Sequence, residues 1–192
     1  MATTMSIAAG ANPKALLGAL LFAAAVAASS LPGSSAAGAS TLVSRTCGVT
    51  SSPSLCLELL RSSNRSDDAM TVRELAVVAV TAARRSALRA RIRAMDLSHH
   101  GAGGGAVAAR LAARCVALYA DCLRDGARAL GRVSTMPAYD ARAADAVSAL
   151  RRFPRKCAGL FHARRVASPL ERVSRETEEK LGVASEIVRL SR

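Results

Sequence analysis

The sequence has no tryptophan, two tyrosines, three phenylalanines and three histidines in 192 residues. So few aromatic rings leave no platform on which bases could stack, which excludes the usual recognition of single-stranded nucleic acid. The hydrophobic half of the chain, 51% of it, is mostly Ala, Val and Leu, and each such side chain removes little area from water when it is buried. A core of this kind is thin and profits from cross-links. No cysteine pair has C-x-x-C spacing, which argues against zinc and thioredoxin-like sites. His99 and His100 are adjacent but have no third ligand near them in the sequence, so no metal site is expected. No G-x-S-x-G or P-loop run occurs, and the acidic residues are scattered over what read as solvent faces. The chain is therefore not expected to be an enzyme or to need a cofactor. Nothing alternates with period two for long enough to make a strand.

What is present begins with a segment for export. Ala15 to Ala28 is an uninterrupted apolar run preceded by a single charge, Lys14, and followed by Ser-, Gly- and Ala-rich sequence containing Ala37-Gly38-Ala39. That is the pattern of a secretory signal peptide, residues 1–39, with cleavage between 28 and 39. The run is too short to span a bilayer comfortably, since a membrane helix needs about 20 apolar residues. The formal charge is +13, and removal of Lys14 with the segment leaves +13 − 1 = +12. A basic surface of that size attracts acidic partners. Secretion also favours disulfides among the five cysteines, all of which follow the segment. Asn64-Arg65-Ser66 is a glycosylation sequon on the same route, with Asn64 as acceptor.

Residues 40–192 read as one helical domain. Cys47 to Cys56 is a compact unit in which Pro53 suits the first position of a short helix and Ser52 its N-cap. Bridging Cys47 to Cys56 would close a short loop there. Thr71-Val72-Arg73-Glu74 is a capping box opening a long helix to about Met95. That helix has an alanine-rich stripe (Val72, Ala76, Ala79, Ala83, Ala87, Ala90, Ala94) and, nearly opposite, a second apolar line of Val77, Leu88, Ile92 and Met95, expected to meet the N-terminal unit. Ser98 to Gly105 reads as a glycine-rich loop. The central amphipathic helix, Ala106 to Val133, places Val107, Leu111, Cys115, Leu118, Cys122, Ala129 and Val133 on one face. A bridge from Cys115 to Cys157 would tie it to a neighbour across an apolar seam. Pro137 opens the next helix and Pro154 breaks or kinks it. Ser168-Pro169-Leu170-Glu171 is a second capping box ahead of a last amphipathic helix. Long helices with short connections predict an all-α fold, an antiparallel up-down four-helix bundle behind a small disulfide-closed N-terminal helical hairpin.

The paired Cys47 and Cys56, the alanine-rich helix, Cys115-x-x-x-Tyr119, and Asp145-Ala146-Val147-Ser148-Ala149-Leu150 leading to Cys157 and Phe161 together resemble the plant invertase and pectin methylesterase inhibitor family. The resemblance covers essentially the whole mature chain. It implies the bundle with its N-terminal hairpin, and disulfides Cys47 to Cys56 and Cys115 to Cys157. Cys122 departs from the family pattern, which has a small residue there. It is expected to be an unpaired buried thiol, with a swapped bridge from Cys122 to Cys157 left open.

The resemblance also implies a secreted protein of the apoplast or cell wall, with the vacuole as an alternative, that blocks the substrate cleft of a cell-wall enzyme without chemistry of its own. The invertase-inhibiting branch carries Pro-Lys-Phe where this chain has Pro137-Ala138-Tyr139, without the lysine, whereas the end of the chain around Ile187-Val188-Arg189 looks more like that branch. Family frequency favours pectin methylesterase as the target, with acid invertase as the alternative. A third reading is a basic wall protein that binds acidic pectin and inhibits nothing. The second and third bundle helices and their connection, Ser134 to Asp140, are expected to face the enzyme, because a disulfide between those helices would preorganise them. Pro137 and Tyr139 are the expected contacts in that connection, Tyr139 as anchor, and Arg142 is the expected steering charge.

Overall fold

A computed structural model describes residues 34–100, 105–135 and 140–191, with the side chains of 34–40 and of His100 excepted. The apolar run of the expected signal peptide, and Pro137 and Tyr139, lie outside the described residues. Seven α-helices follow in order: α1 (Ser34–Gly48), α2 (Pro53–Arg61), α3 (Val72–His100), α4 (Gly105–Thr135), α5 (Ala141–Ala149), α6 (Arg152–His162) and α7 (Glu171–Leu190), with one 3-10 turn at Asn64–Ser66. There is no strand among the described residues. No described helix is long and apolar enough to cross a membrane.

Local chemistry explains where most of these helices begin. Pro53 occupies the first turn of α2, where its missing N–H costs nothing. Ser52 precedes it without a side-chain cap. At α3 both halves of the capping box form. The Glu74 amide donates to Thr71 Oγ1 at 3.2 Å, and Glu74 Oε2 accepts from the Thr71 and Met70 amides at 3.0 and 2.7 Å. These bonds hold the Glu74 carboxyl below its usual range, the one from the Met70 amide most strongly. α5 is capped by Asp140, which accepts from the Arg142 amide at 2.9 Å.

Helix packing is set by small residues. Ala76, Ala79, Ala83, Ala87, Ala90 and Ala94 of α3 are all buried, and without bulk between them α3 lies along both α4 and α7. The buried face of α4 runs Ala108, Leu111, Ala112, Cys115, Tyr119, Cys122, Gly126, Ala129 and Val133. Gly126 marks a close approach, since a Cβ there would sit 3.1 Å from Cγ of Arg84 and the arginine stem would have to give by a few tenths of an ångström. α4 in turn meets α6 and α5, and both of those meet α7.

The N-terminal pair α1 and α2 is pinned to α7 by two polar clips. Glu186 accepts from the Ser51 amide and hydroxyl at 2.8 and 2.6 Å. Lys180, with only 8% of its side chain exposed, stands between Glu176 of its own helix at 2.6 Å and Glu58 of α2 at 3.3 Å. Cys47 is bonded to Cys56 and Cys115 to Cys157, with Cα separations of 5.4 and 5.1 Å, so one bridge closes the N-terminal pair and the other joins α4 to α6.

Several expectations are corrected. Ser98, His99 and His100 continue α3 and do not open the loop. Leu88, Ile92 and Met95 are exposed, so the N-terminal unit does not cover the second apolar line. On α4 the inward residues are Ala108 and Tyr119, whereas Val107 is exposed and Leu118 half-buried. The break in the third bundle segment falls at Leu150 and Arg151, ahead of Pro154. Pro154 is third in α6, where its absent N–H is one of the first-turn donors that has no partner within the helix. α7 starts at Glu171, two residues later than the capping-box reading, because Ser168 Oγ accepts from the Leu170 amide at 3.2 Å and shapes a turn there instead. The C-terminus of α6 is closed by Val166 N–H to Phe161 O at 3.1 Å and Arg165 N–H to His162 O at 3.0 Å, with Arg165 at φ 54°. This is a Schellman cap with an arginine where glycine is usual.

The two bridges close loops of different length, with sequence separations of 9 and 42. In the chain-entropy model these are worth about 3 and about 4 kcal/mol. Cys157→Ser is therefore expected to lower the unfolding free energy more than Cys47→Ser, which equilibrium denaturation in urea of the two variants checks.

Candidate functional site

The seam between α4 and α6 is built around sulfur and one phenol. Tyr119 lies one turn after Cys115 on the buried face of α4, and its hydroxyl donates to Ser174 Oγ of α7 at 2.9 Å. Ser174 Oγ in turn approaches Cys157 Sγ at 3.9 Å. The bridge, the phenol and the serine thus lock α4, α6 and α7 at one level. Burial pushes the Tyr119 phenol up to about 12, the serine hydrogen bond offsetting part of the rise. Cys122, two turns along, is a free, buried thiol. Among the described residues its polar contact is a weak one to Leu150 O at 4.0 Å. Burial raises it to about 12, and the nearby Asp125 carboxylate adds to the rise. A thiol in that state packs as a small hydrophobe and does not act as a nucleophile.

From this anchor α4 projects to one end of the bundle, where its last carbonyls are held from α3. Arg73 donates Nε to Val133 O and Nη2 to Ser134 O, both at 3.3 Å, which places a cation where the helix dipole favours one. Ser134 and Thr135 hydroxyls bond back to Leu130, Gly131 and each other's turn at 2.7 to 3.1 Å. Across the connection, Asp140 caps α5 and Arg142 stands exposed in its first turn. A cation there opposes the dipole of α5, so local helix stability does not account for it. Of the expected contact residues the structure places only Arg142; Pro137 and Tyr139 fall in 136–139.

Elsewhere the expected residues are separate. Asn64 is exposed as the first residue of the 3-10 turn, while Ser66 of the same sequon is buried and donates to Leu60 O at 2.6 Å. His99 and His162 are exposed and far apart in sequence on α3 and α6. No group of three or more His, Cys, Asp or Glu that could hold a metal occurs among the described residues. The arginine pairs of α4 and α6 went unread in the sequence. Asp125 accepts from Arg128 at 2.5 Å and from Arg152 at 2.9 Å, Asp121 is paired with Arg124, and Glu178 of α7 holds Arg151 at 3.2 Å and Arg155 at 2.7 Å. The signal for the first two lay in the i,i+3 spacing of Asp and Arg on α4; the partners on α6 and α7 are too distant in sequence to be paired by spacing.

The family model described as plant invertase/pectin methylesterase inhibitor matches residues 41–188. No curated protein matches the chain significantly.

Two outcomes follow from the buried groups. Native protein at about pH 8 is expected to react with a thiol reagent on the order of a hundredfold more slowly than unfolded protein, with one thiol per chain released on denaturation without reductant. Recovery of no thiol would place Cys122 in a disulfide. Glu176 is held below its usual value, first by the hydrogen bond from Lys180. A carboxyl depressed on folding stabilises above its unfolded value near about 4.3, and that stabilisation is lost as pH falls through the lower folded value. The melting-temperature gap between wild type and Glu176→Gln is therefore expected to be open at about pH 6 and to close by about pH 3, as scanning calorimetry across that range would show.

Proposed function

The chain belongs to the plant invertase/pectin methylesterase inhibitor family, and from that premise we propose that it is a secreted inhibitor that occupies the substrate cleft of a pectin methylesterase as a stoichiometric complex. The protein is not an enzyme. On this reading residues 1–39 are a signal peptide cleaved between 28 and 39, residues 40–192 are the inhibitor domain, and the protein works in the apoplast. α3, α4, the interrupted α5–α6 pair and α7 then correspond to an antiparallel four-helix bundle, and α1 with α2 to its N-terminal hairpin. The two disulfides serve as the staples of that framework, and Asn64 is an exposed glycan acceptor.

The observation that carries the reading is the family match over 41–188, joined to a covalent tie between α4, which leads into the connection 136–139, and α6, which follows α5 on its far side. Preorganised elements lose less entropy on binding. Pro137, Tyr139 and Arg142 are then the contact residues, Tyr139 as anchor and Arg142 as steering charge.

Acid invertase is the alternative target. Its sequence support is the end of the chain around Ile187-Val188-Arg189, of which Ile187 and Val188 are buried at 0% and 2% exposure and Arg189 is exposed. A likeness at the two core positions reflects packing, so only Arg189 bears on a partner. The absent lysine at Ala138 is the difference that favours pectin methylesterase.

Titration of purified mature protein against one pectin methylesterase and one acid invertase tests the assignment. Esterase activity is expected to fall linearly to a one-to-one end point while invertase activity is unchanged. The reverse would reassign the target, and loss of neither activity would contradict inhibition altogether. Tyr139→Ala is expected to weaken inhibition by about 30-fold, as loss of about 2 kcal/mol at an interface anchor would, with an unchanged melting temperature. Arg142→Glu is expected to slow association roughly tenfold with a smaller effect on dissociation. A lowered melting temperature in Tyr139→Ala with undiminished inhibition would move the contact surface elsewhere.

A further inference from the structure

The outer side of the α4–α6 seam carries a charge imbalance that the bundle does not use. Residues 151–165 contain Arg151, Arg152, Arg155, Lys156, Arg164 and Arg165 and no acidic residue. The carboxylates that reach this region from α4 and α7, namely Asp121, Asp125 and Glu178, are each already engaged by arginine. Lys156 of α6 and Arg114 of α4 are exposed, and no carboxylate stands within ion-pair distance of either among the described residues.

Two shallow clefts of about 400 Å³ each adjoin Lys156. One lies on the α4–α6 seam between Arg114 and Lys156, with Asp121, itself paired with Arg124, in its wall; the other lies where α5 passes into α6 and is lined by Arg151, Arg152, Arg155 and again Lys156. The shared lysine joins their cations into a track, with Arg114 on one side and Arg152 and Arg155 on the other. Beneath it the Cys115–Cys157 bridge fixes the spacing of the two helices, so the cations sit on a rigid base.

We propose that this track binds a linear polycarboxylate, a chain of uronate residues, at a surface separate from the inhibitory connection. A row of fixed cations in a shallow, open groove suits a repeating anion better than a compact one, because successive carboxylates can meet Arg114, Lys156 and Arg152 in turn. A pectin methylesterase leaves such a chain behind, since each ester it hydrolyses uncovers one carboxylate. Arg114 and Thr135 are 21 residues apart on α4, about 30 Å along the helix, so polymer at the Arg114 end of the track lies well away from the last turn of α4. An inhibitor held on the product polymer would be concentrated where the enzyme has been acting. The choice of a uronate chain rests on the target being a pectin methylesterase, whereas binding of the oligomer is read without any enzyme present.

The test is direct binding, without any enzyme, of full mature protein to fully de-esterified oligogalacturonate, with methyl-esterified oligomer of the same length as the neutral arm. Arg114→Glu/Lys156→Glu is compared with Arg45→Glu/Arg61→Glu, which makes the same change in net charge at exposed positions on α1 and α2. Wild type is expected to bind the de-esterified oligomer in a salt-sensitive way and to ignore the esterified one. The track variant is expected to lose at least tenfold in affinity and the control variant less than threefold. Arg114→Gln/Lys156→Gln, which removes the charges without reversing them, is expected to fall between them, and it serves as the test if the reversed variant fails the thermal-melt check. Equal losses in the track and control variants would mean attraction by net charge alone and would overturn the site, as would binding of the esterified oligomer or no binding by wild type near 0.15 M salt.

Discussion

The covalent tie between Cys115 and Cys157 acts on a bundle whose helices meet largely through alanine. Alanine allows close approach but contributes little apolar area per contact, so an interface made of it is geometrically tight and energetically thin. A bond across α4 and α6 raises the free energy of the unfolded chain by restricting it, and thus stabilises the bundle without adding side-chain volume to a crowded interface. Two buried hydroxyls meet at this point. Tyr119 reaches across to Ser174, Ser174 lies against the sulfur of Cys157, and Cys122 fills the next turn. A phenol at this level needs a partner, since an unpaired buried hydroxyl costs about 1–3 kcal/mol.

Away from the seam, charge does the work that apolar area cannot. Lys180 between Glu58 and Glu176, and Glu186 beneath the Ser51 amide, fix the N-terminal helices onto α7. Arg73 holds the last carbonyls of α4 from α3. These contacts tie the C-terminal end of α4 and the N-terminal pair to neighbouring helices. The excess of arginine that makes the chain so basic is in part structural, spent on Asp121, Asp125 and Glu178, and in part surplus, as at Arg114, Lys156 and Arg142.

Much of this could be read from the chain alone, for identifiable reasons. A capping box is a local device, so Thr71 and Glu74 marked the start of α3 correctly; at Ser168 the same motif was diverted into a turn by its own hydroxyl. Helical periodicity found the buried face of α4 but misjudged its centre by one residue, choosing Leu118 and Val107 over Tyr119 and Ala108. Hydrophobicity ranks leucine and valine above tyrosine and alanine, and the reason for burying Tyr119 is a serine 55 residues away. The second apolar line of α3 is exposed at Leu88, Ile92 and Met95, because the short α1 and α2 also rest on α7 and cannot cover it. Of the expected contact residues, Arg142 is placed on the surface, and its cost to the dipole of α5 could be appreciated only once the helix start at Ala141 was known.

The central claim is that the Cys115–Cys157 bond orders α4, which leads into the connection at 136–139, and the α5–α6 segment that follows it. Amide hydrogen exchange of the mature protein and of Cys115→Ala/Cys157→Ala, at a temperature where both are folded, tests it most directly. The account predicts that loss of the bridge lowers protection beyond its own level, through the second half of α4 and into α5, while α1 and α2 exchange as before. Protection in α4 and α5 that is unchanged, or lost evenly over the whole chain, would contradict it.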